Sequence, residues 1–257
     1  MDNLKMLNRL KDPYEGWRRI SHSGVPAVAA AMLLLIFQSA CFFSKKSRTE
    51  VVVTSPVRVV LLPFNVGGNK DLQWASLAAP VLMAKAGENA KDLDIVPFWQ
   101  TMPVALSGGG ASRTFTPETA ANVAGWLSAK WCVLGELIPT KNGVSMTVDF
   151  IPARSTLIPF RYIKNGKLDS VGSGFNDAYS QFLRYLVARP PEQVRHSSDS
   201  MTSVKDIADA LDREYGWFVE AEPGRAQEAI ASLASSDEGL ARTLFNPSLY
   251  PSLAPKK

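Results

Sequence analysis

Trp131-Cys-Val-Leu-Gly-Glu-Leu-Ile-Pro-Thr-Lys-Asn-Gly-Val-Ser-Met-Thr-Val-Asp-Phe-Ile151 contains two apolar runs separated by a turn signal, and it is the most informative part of the sequence about the fold. Residues 131–138 and 144–151 are apolar and β-branched, and the Asn-Gly pair at 142–143 is a strong signal for a tight turn between two strands. In the second run, apolar side chains occupy every other position, which places them on one face of a strand. The stretch therefore predicts an antiparallel hairpin with one buried face. The alternating residues are Val144, Met146, Val148 and Phe150.

Strands and helices alternate on the amino-terminal side of this hairpin. Residues 57–64 and 93–98 each predict a strand that closes with Pro-Phe, and residues 74–86 place apolar side chains at helical spacing. Thr116 followed by Pro117 is a typical helix start. After the hairpin, residues 157–163 predict a further strand, 164–166 a turn and 175–187 a helix. This order predicts an α/β domain over residues 57–188, with a mixed sheet flanked by helices.

The carboxy-terminal part predicts only helices. Residues 189–202 contain proline, serine and charge without an apolar pattern, so we interpret them as a linker. Ser203 is the expected cap of the first helix in a small helical segment over residues 203–246. The tail at 247–257 is too rich in proline for a regular element.

The amino terminus predicts a membrane segment. Residues 25–43 contain no charge, and a helix of that length spans roughly the 30 Å of a bilayer core. Five Lys/Arg residues precede the segment in the basic region 1–24, and three follow it in a polar stalk at 44–56. This distribution favours an amino terminus in the cytoplasm and an exported remainder.

Two modes of attachment stay open for this segment. It is either an uncleaved signal-anchor or a lipoprotein signal that ends in Ser39-Ala40-Cys41, in which case Cys41 carries the lipid. Gln38 departs from the apolar residue that lipoprotein signals usually have at that place. The signal-anchor is favoured, which gives a single-pass protein with its carboxy-terminal part in the periplasm. The alternative is a lipid anchor in the inner or outer membrane.

Charge and motifs argue against several classes of function. The first 48 residues carry eight Lys/Arg against three acidic residues, a net of +5, so the remainder carries −1 of the whole chain's +4. Nucleic-acid binding is not expected of a near-neutral folded part. Two cysteines and two distant histidines cannot form a structural zinc site, and Cys132 is expected to be a small buried apolar group. The sequence also has no recognisable catalytic motif, so we expect neither an enzyme nor a cofactor.

The order of elements, together with three sequence features, resembles the TolB amino-terminal-domain-like superfamily. The features are Val-Val-Leu-Leu-Pro-Phe at 59–64, Asp94-Ile-Val-Pro-Phe98 and Ala129-Lys-Trp-Cys-Val-Leu-Gly-Glu-Leu137. The resemblance covers residues 57–188. It implies an α/β module that works by protein–protein contact in the cell envelope, in secretion, motility or peptidoglycan machinery, without catalysis.

The expected function is that of a membrane-tethered scaffold or accessory subunit. Its expected partners are the membrane and envelope proteins, and self-association is left open. Aromatic and apolar residues near the carboxyl end are candidates for partner docking, and the segment 245–251 is expected to be exposed. The alternative is a periplasmic sensor that holds a small ligand or glycan between the loops 65–71 and 105–115. The candidate docking residues are Tyr215, Trp217, Phe218, Phe245, Leu249 and Tyr250.

Overall fold

The computed structural model describes residues 56–88, 90–108, 114–154, 156–186, 199–217 and 224–253, which all belong to one compact unit. The predicted membrane segment at 25–43, Cys41, Phe218 and most of the predicted linker lie outside the described residues. No helix among the described residues has the length and apolar character needed to cross a membrane.

Five strands and eight α-helices are named here in chain order. The strands are β1 (Val57–Leu61), β2 (Leu93–Ile95), β3 (Trp131–Thr140), β4 (Gly143–Pro152) and β5 (Phe160–Gly166). The helices are α1 (Ala75–Glu88), α2 (Phe98–Gly108), α3 (Pro117–Trp126), α4 (Leu168–Gly172), α5 (Phe175–Leu186), α6 (Lys205–Tyr215), α7 (Arg225–Ser236) and α8 (Glu238–Leu244). Short 3₁₀ turns occupy Lys70–Leu72, Thr202–Val204 and Pro251–Leu253.

The strands form one mixed sheet in the order β2-β1-β3-β4-β5. β1 pairs in parallel with β2 and β3, whereas β3, β4 and β5 pair antiparallel. Thr140 pairs with Gly143 across a two-residue connection, which confirms the predicted hairpin. The predicted mixed α/β architecture is therefore confirmed for the described residues.

The two faces of the sheet are covered by different helices. Connections between parallel strands are right-handed. The connection from β1 to β2 contains α1, and the connection from β2 back to β3 contains α2 and α3. Because these two connections run in opposite directions across the sheet, α1 lies on one face and α2 and α3 lie on the other. The predicted alternation in β4 is confirmed, because Val144, Met146, Val148 and Phe150 are all buried. Phe150 stacks on Phe182 of α5 with 3.9 Å between ring centroids, and α5 packs beside α1 on this face.

The carboxy-terminal helices pack on the α/β part. α6 and α8 contact α1, and α7 packs against both of them. The Trp99 indole N–H of α2 donates to the carbonyl of Arg242 in α8 at 2.9 Å. Leu211, Ile230 and Leu244 belong to the same apolar core as the sheet. The division into an α/β domain, a linker and a helical segment stays a prediction.

Several local predictions are wrong. Residues 164–166 form no turn; they end β5, where they pair with residues 144–146 of β4. The strand predicted to run to residue 98 ends at Ile95, and Phe98 instead begins α2. The Ser203 hydroxyl does not cap α6, because it donates to the carbonyl of Ser200 at 2.7 Å. By contrast, the Thr116 cap is confirmed by its contact with the Thr119 N–H at 3.2 Å.

Candidate protein-contact surface

One part of the sheet has no helix over it among the described residues. α3 packs on β3 and β4 and covers the region of Cys132 and Ile151, which are both buried. Further along the same face, Ile138 is 48% exposed and Ile163 is 56% exposed. We call this region the open face. It comprises Glu136 and Ile138 of β3, Ser145 and Thr147 of β4, and Ile163 and Asn165 of β5.

The strand register fixes how the open face is arranged. Ile138 lies opposite Ser145, and Ile163 lies opposite Thr147 on the other side of β4. Two exposed apolar side chains therefore flank two hydroxyl groups on a rigid sheet. Isolated exposed apolar residues are ordinary, but apolar and hydrogen-bonding groups grouped on one uncovered sheet face are typical of a protein-contact site.

An ion pair closes one end of the open face. The Arg161 guanidinium donates to both carboxylate oxygens of Asp149, at 2.6 and 2.8 Å. These hydrogen bonds and the charge of Asp149 raise the pKa of Arg161, so its cation persists. The bidentate geometry orders both side chains across β4 and β5. This end of the open face is therefore polar and geometrically defined.

An apolar rim lies beside β5. It consists of Leu157, Ile158 and Tyr185, which are 42%, 73% and 42% exposed. The Tyr185 hydroxyl donates to the carbonyl of Ile158 at 2.9 Å, and the Tyr185 ring packs 5.5 Å from that of Phe160. These contacts tie the connection before β5 to α5 while its apolar side chains stay in water.

Two of the predicted docking residues are buried. Trp217 is 2% exposed and stacks on Phe115 with 5.8 Å between ring centroids. Phe245 is fully buried and packs edge-on against Tyr250. The expectation that segment 245–251 is exposed is therefore wrong for Phe245, because α8 turns its end into the core.

The other described docking candidates lie nearer the surface. Tyr215 is half-buried, and its hydroxyl donates to the Leu244 carbonyl at 3.4 Å. The Tyr250 hydroxyl donates to the Glu214 carboxylate. Burial is the larger cause of the raised pKa of Tyr250, and this hydrogen bond is the next largest. Leu249 is 63% exposed. A docking role for these residues stays a prediction, and Leu249 has the most exposed side chain among them.

The predicted loop 105–115 is wrong at its start, because α2 continues to Gly108. The two segments predicted to hold a small ligand approach each other at Asn65. The Asn65 side chain exchanges hydrogen bonds of 3.4 Å with the backbone N–H and carbonyl of Phe115. Ligands in open α/β sheets bind beyond the carboxyl ends of parallel strands. Here the Phe64 ring lies over Gly135 of β3 and packs edge-on against Phe175. Aromatic packing therefore covers the sheet at the end of β1.

A polar cleft of about 480 Å³ lies between α6 and α7. Both signs of charge line it, so its chemistry suits a polar or zwitterionic molecule better than an apolar one. This cleft is not evident from the sequence, because the lining residues come from two helices that the sequence shows only as separate amphipathic patterns. Its lining includes Ser203, Asp206, Asp209, Arg213, Arg225, Glu228 and Ser232.

The described residues offer no metal site. They contain no group of three or more His, Cys, Asp or Glu side chains that could hold an ion. Cys132 is fully buried, as expected, and this burial raises the pKa of its thiol, which keeps the thiol protonated and inert.

Comparisons with known proteins give weak structural likenesses. No protein-family model matches the chain, and no curated protein matches it. Among solved structures, TolB from Acinetobacter baumannii is similar with a TM-score of 0.36 and 9% identity; the match covers 53% of this chain and 29% of that chain. The carboxy-terminal domain of LpoB from Salmonella enterica has a TM-score of 0.30 and 11% identity, over 45% of this chain and 87% of that one. The hypothetical protein CT253 from Chlamydia trachomatis has a TM-score of 0.29 and 17% identity, over 63% and 97%. These low TM-scores assign the chain to no family.

Proposed function

We propose that this protein is a non-catalytic, membrane-tethered scaffold or accessory subunit of a bacterial cell-envelope assembly, and that it acts by protein–protein contact. The open face carries the proposal, because its exposed Ile138 and Ile163 sit on a rigid sheet beside hydrogen-bonding side chains. Residues 25–43 supply the tether, with Cys41 as the alternative attachment point and the folded part in the periplasm. Secretion, motility and peptidoglycan machinery are the assemblies that the TolB resemblance of the sequence suggests.

The composition of the open face indicates what kind of partner surface would bind it. Full burial of an exposed isoleucine side chain contributes roughly 1.5–3 kcal/mol. Ile138 and Ile163 are 48% and 56% exposed, so burying what remains of both contributes about as much as burying one such side chain. Ser145, Thr147 and Asn165 provide hydrogen-bonding groups around them. A folded protein partner with its own apolar centre and polar rim fits this pattern.

Co-purification of the full-length chain tests the proposal. The protein, tagged at its carboxyl end, is extracted from native membranes in mild detergent, and its companions are identified by mass spectrometry. We expect Ile138→Asp to reduce the recovery of an envelope protein at least tenfold, because a buried unpaired charge opposes binding. Leu249→Asp is the matched control, since Leu249 is also an exposed apolar residue but lies far along the chain in the carboxy-terminal part.

Each result of this comparison has a definite meaning. Equal recovery of every companion with Ile138→Asp would refute the open face as the contact surface. Loss with Leu249→Asp alone would move the contact to the carboxy-terminal docking residues. Both variants are checked for an unchanged thermal midpoint, so that a lost partner is not a consequence of unfolding.

A second candidate function is a periplasmic sensor of a small ligand or glycan. The polar cleft between α6 and α7 favours it, in place of the loops 65–71 and 105–115. Thermal-shift measurements with nucleotides, sugars and peptidoglycan fragments test this function, because a ligand that binds only the folded state raises the melting temperature. A shift that Ser232→Leu abolishes would support the cleft. No shift with any of these compounds would count against the sensor.

A further inference from the structure

β5 forms an edge of the sheet, and its outer side has backbone groups available for pairing. Among the described residues, β5 pairs only with β4. In β3, the Gly135 carbonyl and the Leu137 N–H form hydrogen bonds with the backbone of Asn65, on the side of the strand next to β1. The intervening residues 134, 136 and 138 therefore direct their backbone groups to the other side, towards β4. Because backbone direction alternates along a strand, residues 144, 146, 148 and 150 of β4 face β5. Their partners are Gly166, Lys164, Tyr162 and Phe160.

The remaining residues of β5 direct their backbone groups away from the sheet. They are Arg161, Ile163 and Asn165, each with one N–H and one carbonyl. The register from Phe160 to Gly166 is one-to-one and has no bulge, and the strand contains no proline. A regular edge of this kind is a template for pairing with another strand.

The usual protection of such an edge is weak here. Natural edge strands carry charged side chains that oppose a second strand. The Arg161 charge is compensated by its bidentate pair with Asp149. The Lys164 side chain lies on the opposite face and packs closely over Gly174. Its Cδ is 2.5 Å from the position that a Cβ on Gly174 would occupy. Neither cation therefore blocks the approach of another strand.

We propose that β5 joins two copies of this chain, antiparallel about a two-fold axis through Ile163. Such an axis is perpendicular to the sheet and passes between a residue of one copy and the same residue of the other. Residues at equal distances before and after that central residue then pair with each other. Centring at Ile163 pairs Ile163 with Ile163 and Arg161 with Asn165, so all outward backbone groups of both strands are satisfied. Centring at Tyr162 or Lys164 leaves Asn165 or Arg161 unpaired.

The side chains fit the same register. On the covered face, Tyr162 lies opposite Lys164, and on the open face Arg161 lies opposite Asn165. No two like charges face each other, whereas centring at Lys164 would place two lysines together. The two five-stranded sheets become one of ten strands, and the two open faces lie on the same side.

Cysteine cross-linking of the full-length chain in membranes tests this dimer. In Ile163→Cys, the axis brings two sulfurs together, so a short bismaleimide should convert most of the protein into a covalent dimer. Ile138→Cys is the matched control, because Ile138 has similar exposure on the same face but lies on β3, away from the edge. The unsubstituted chain reports any cross-linking through Cys41. We expect at least tenfold more dimer from Ile163→Cys than from Ile138→Cys or the unsubstituted chain.

A second variant tests whether the contact sustains association. Ile163→Lys places two like charges on the axis, so the mass of the detergent-extracted protein should fall from dimer to monomer, while Ile138→Lys should leave it dimeric. Equal cross-linking at residues 138 and 163, or a monomeric unsubstituted chain, would overturn the proposal. Cross-linking of Asn165→Cys in place of Ile163→Cys would overturn the register. The bismaleimide product of two copies reports self-association directly, whereas co-purification with Ile138→Asp reports companion proteins, so either proposal can fail alone.

Discussion

Gly135 lies in β3 directly beneath the ring of Phe64. A Cβ at this position would lie 2.2–2.3 Å from three ring carbons, which is well inside contact distance. The ring has little room to retreat, because Phe64 is 2% exposed and packs edge-on against Phe175 at 5.8 Å. The close approach of β1 and β3 beyond Leu61 thus depends on the absence of a side chain at residue 135.

We expect Gly135→Ala to lower the free energy of unfolding by about 1–3 kcal/mol, the usual cost of overpacking a core. Urea unfolding measures the change. Gly125→Ala is the matched control, because a Cβ there meets no atom within 4 Å and alanine favours α3. Combining Gly135→Ala with Phe64→Leu should recover part of the loss. Equal stability of the two alanine variants would contradict the packing described here.

At the scale of elements, α4 is joined to the entry of the carboxy-terminal helices by Asp169. Its carboxylate accepts the Thr202 hydroxyl at 2.7 Å and the Thr202 N–H at 2.9 Å. Both hydrogen bonds lower the pKa of Asp169, and the bond from the Thr202 hydroxyl has the larger effect. Since the ionised form is the one that accepts both bonds, this connection depends on pH.

A lowered pKa in the folded state fixes the sign of that dependence. The stabilising effect of Asp169 is fully present above the ordinary aspartate pKa of about 3.9, and it is lost as the pH falls through the lowered value. Urea unfolding in steps from about pH 6 to pH 3 should show the unsubstituted chain more stable than Asp169→Asn at the upper end, with the difference shrinking at the lower end. Asp92→Asn controls for the loss of one negative charge. A difference that grows as the pH falls would contradict the assignment.

At the scale of the whole molecule, α1 is a central helix. All of its residues except Lys85 and Glu88 are buried, because the sheet lies on one side and α5, α6 and α8 contact it elsewhere. Met201 reaches the same region, beside Gly172 and Leu82. The carboxy-terminal helices therefore complete the core as well as adding surface.

Ending the chain after Ser200 should expose the outer side of α1. We expect a lower urea midpoint, a less cooperative transition and binding of a dye that reports exposed apolar surface. The full chain with Leu249→Ser, a change at a 63% exposed position, is the control and should behave like the unsubstituted protein. If the shortened chain keeps the same midpoint and binds no dye, the α/β domain folds without the helical segment.

The candidate surface shows where prediction from sequence stops. The aromatic character of Phe245 and Trp217 favours a docking role, but the structure buries both against neighbours distant in sequence. Ile138 and Ile163 carry the open face, yet each reads in the sequence as an ordinary strand residue. Exposure of a strand face depends on which helices pack over it, and a local pattern does not contain that information.

Local sequence is sufficient for the features that arise from neighbouring residues. These are the hairpin whose strands are connected by residues 141–142, the alternation in β4, the Thr116 cap and the concentration of positive charge before residue 49, since turn geometry, side-chain period and charge are local properties. Tertiary contacts place residues 164–166 in an edge strand, bury α1 on every side and hold Phe245 in the core. These outcomes depend on pairing and packing between segments far apart in the chain, and such contacts override local preference.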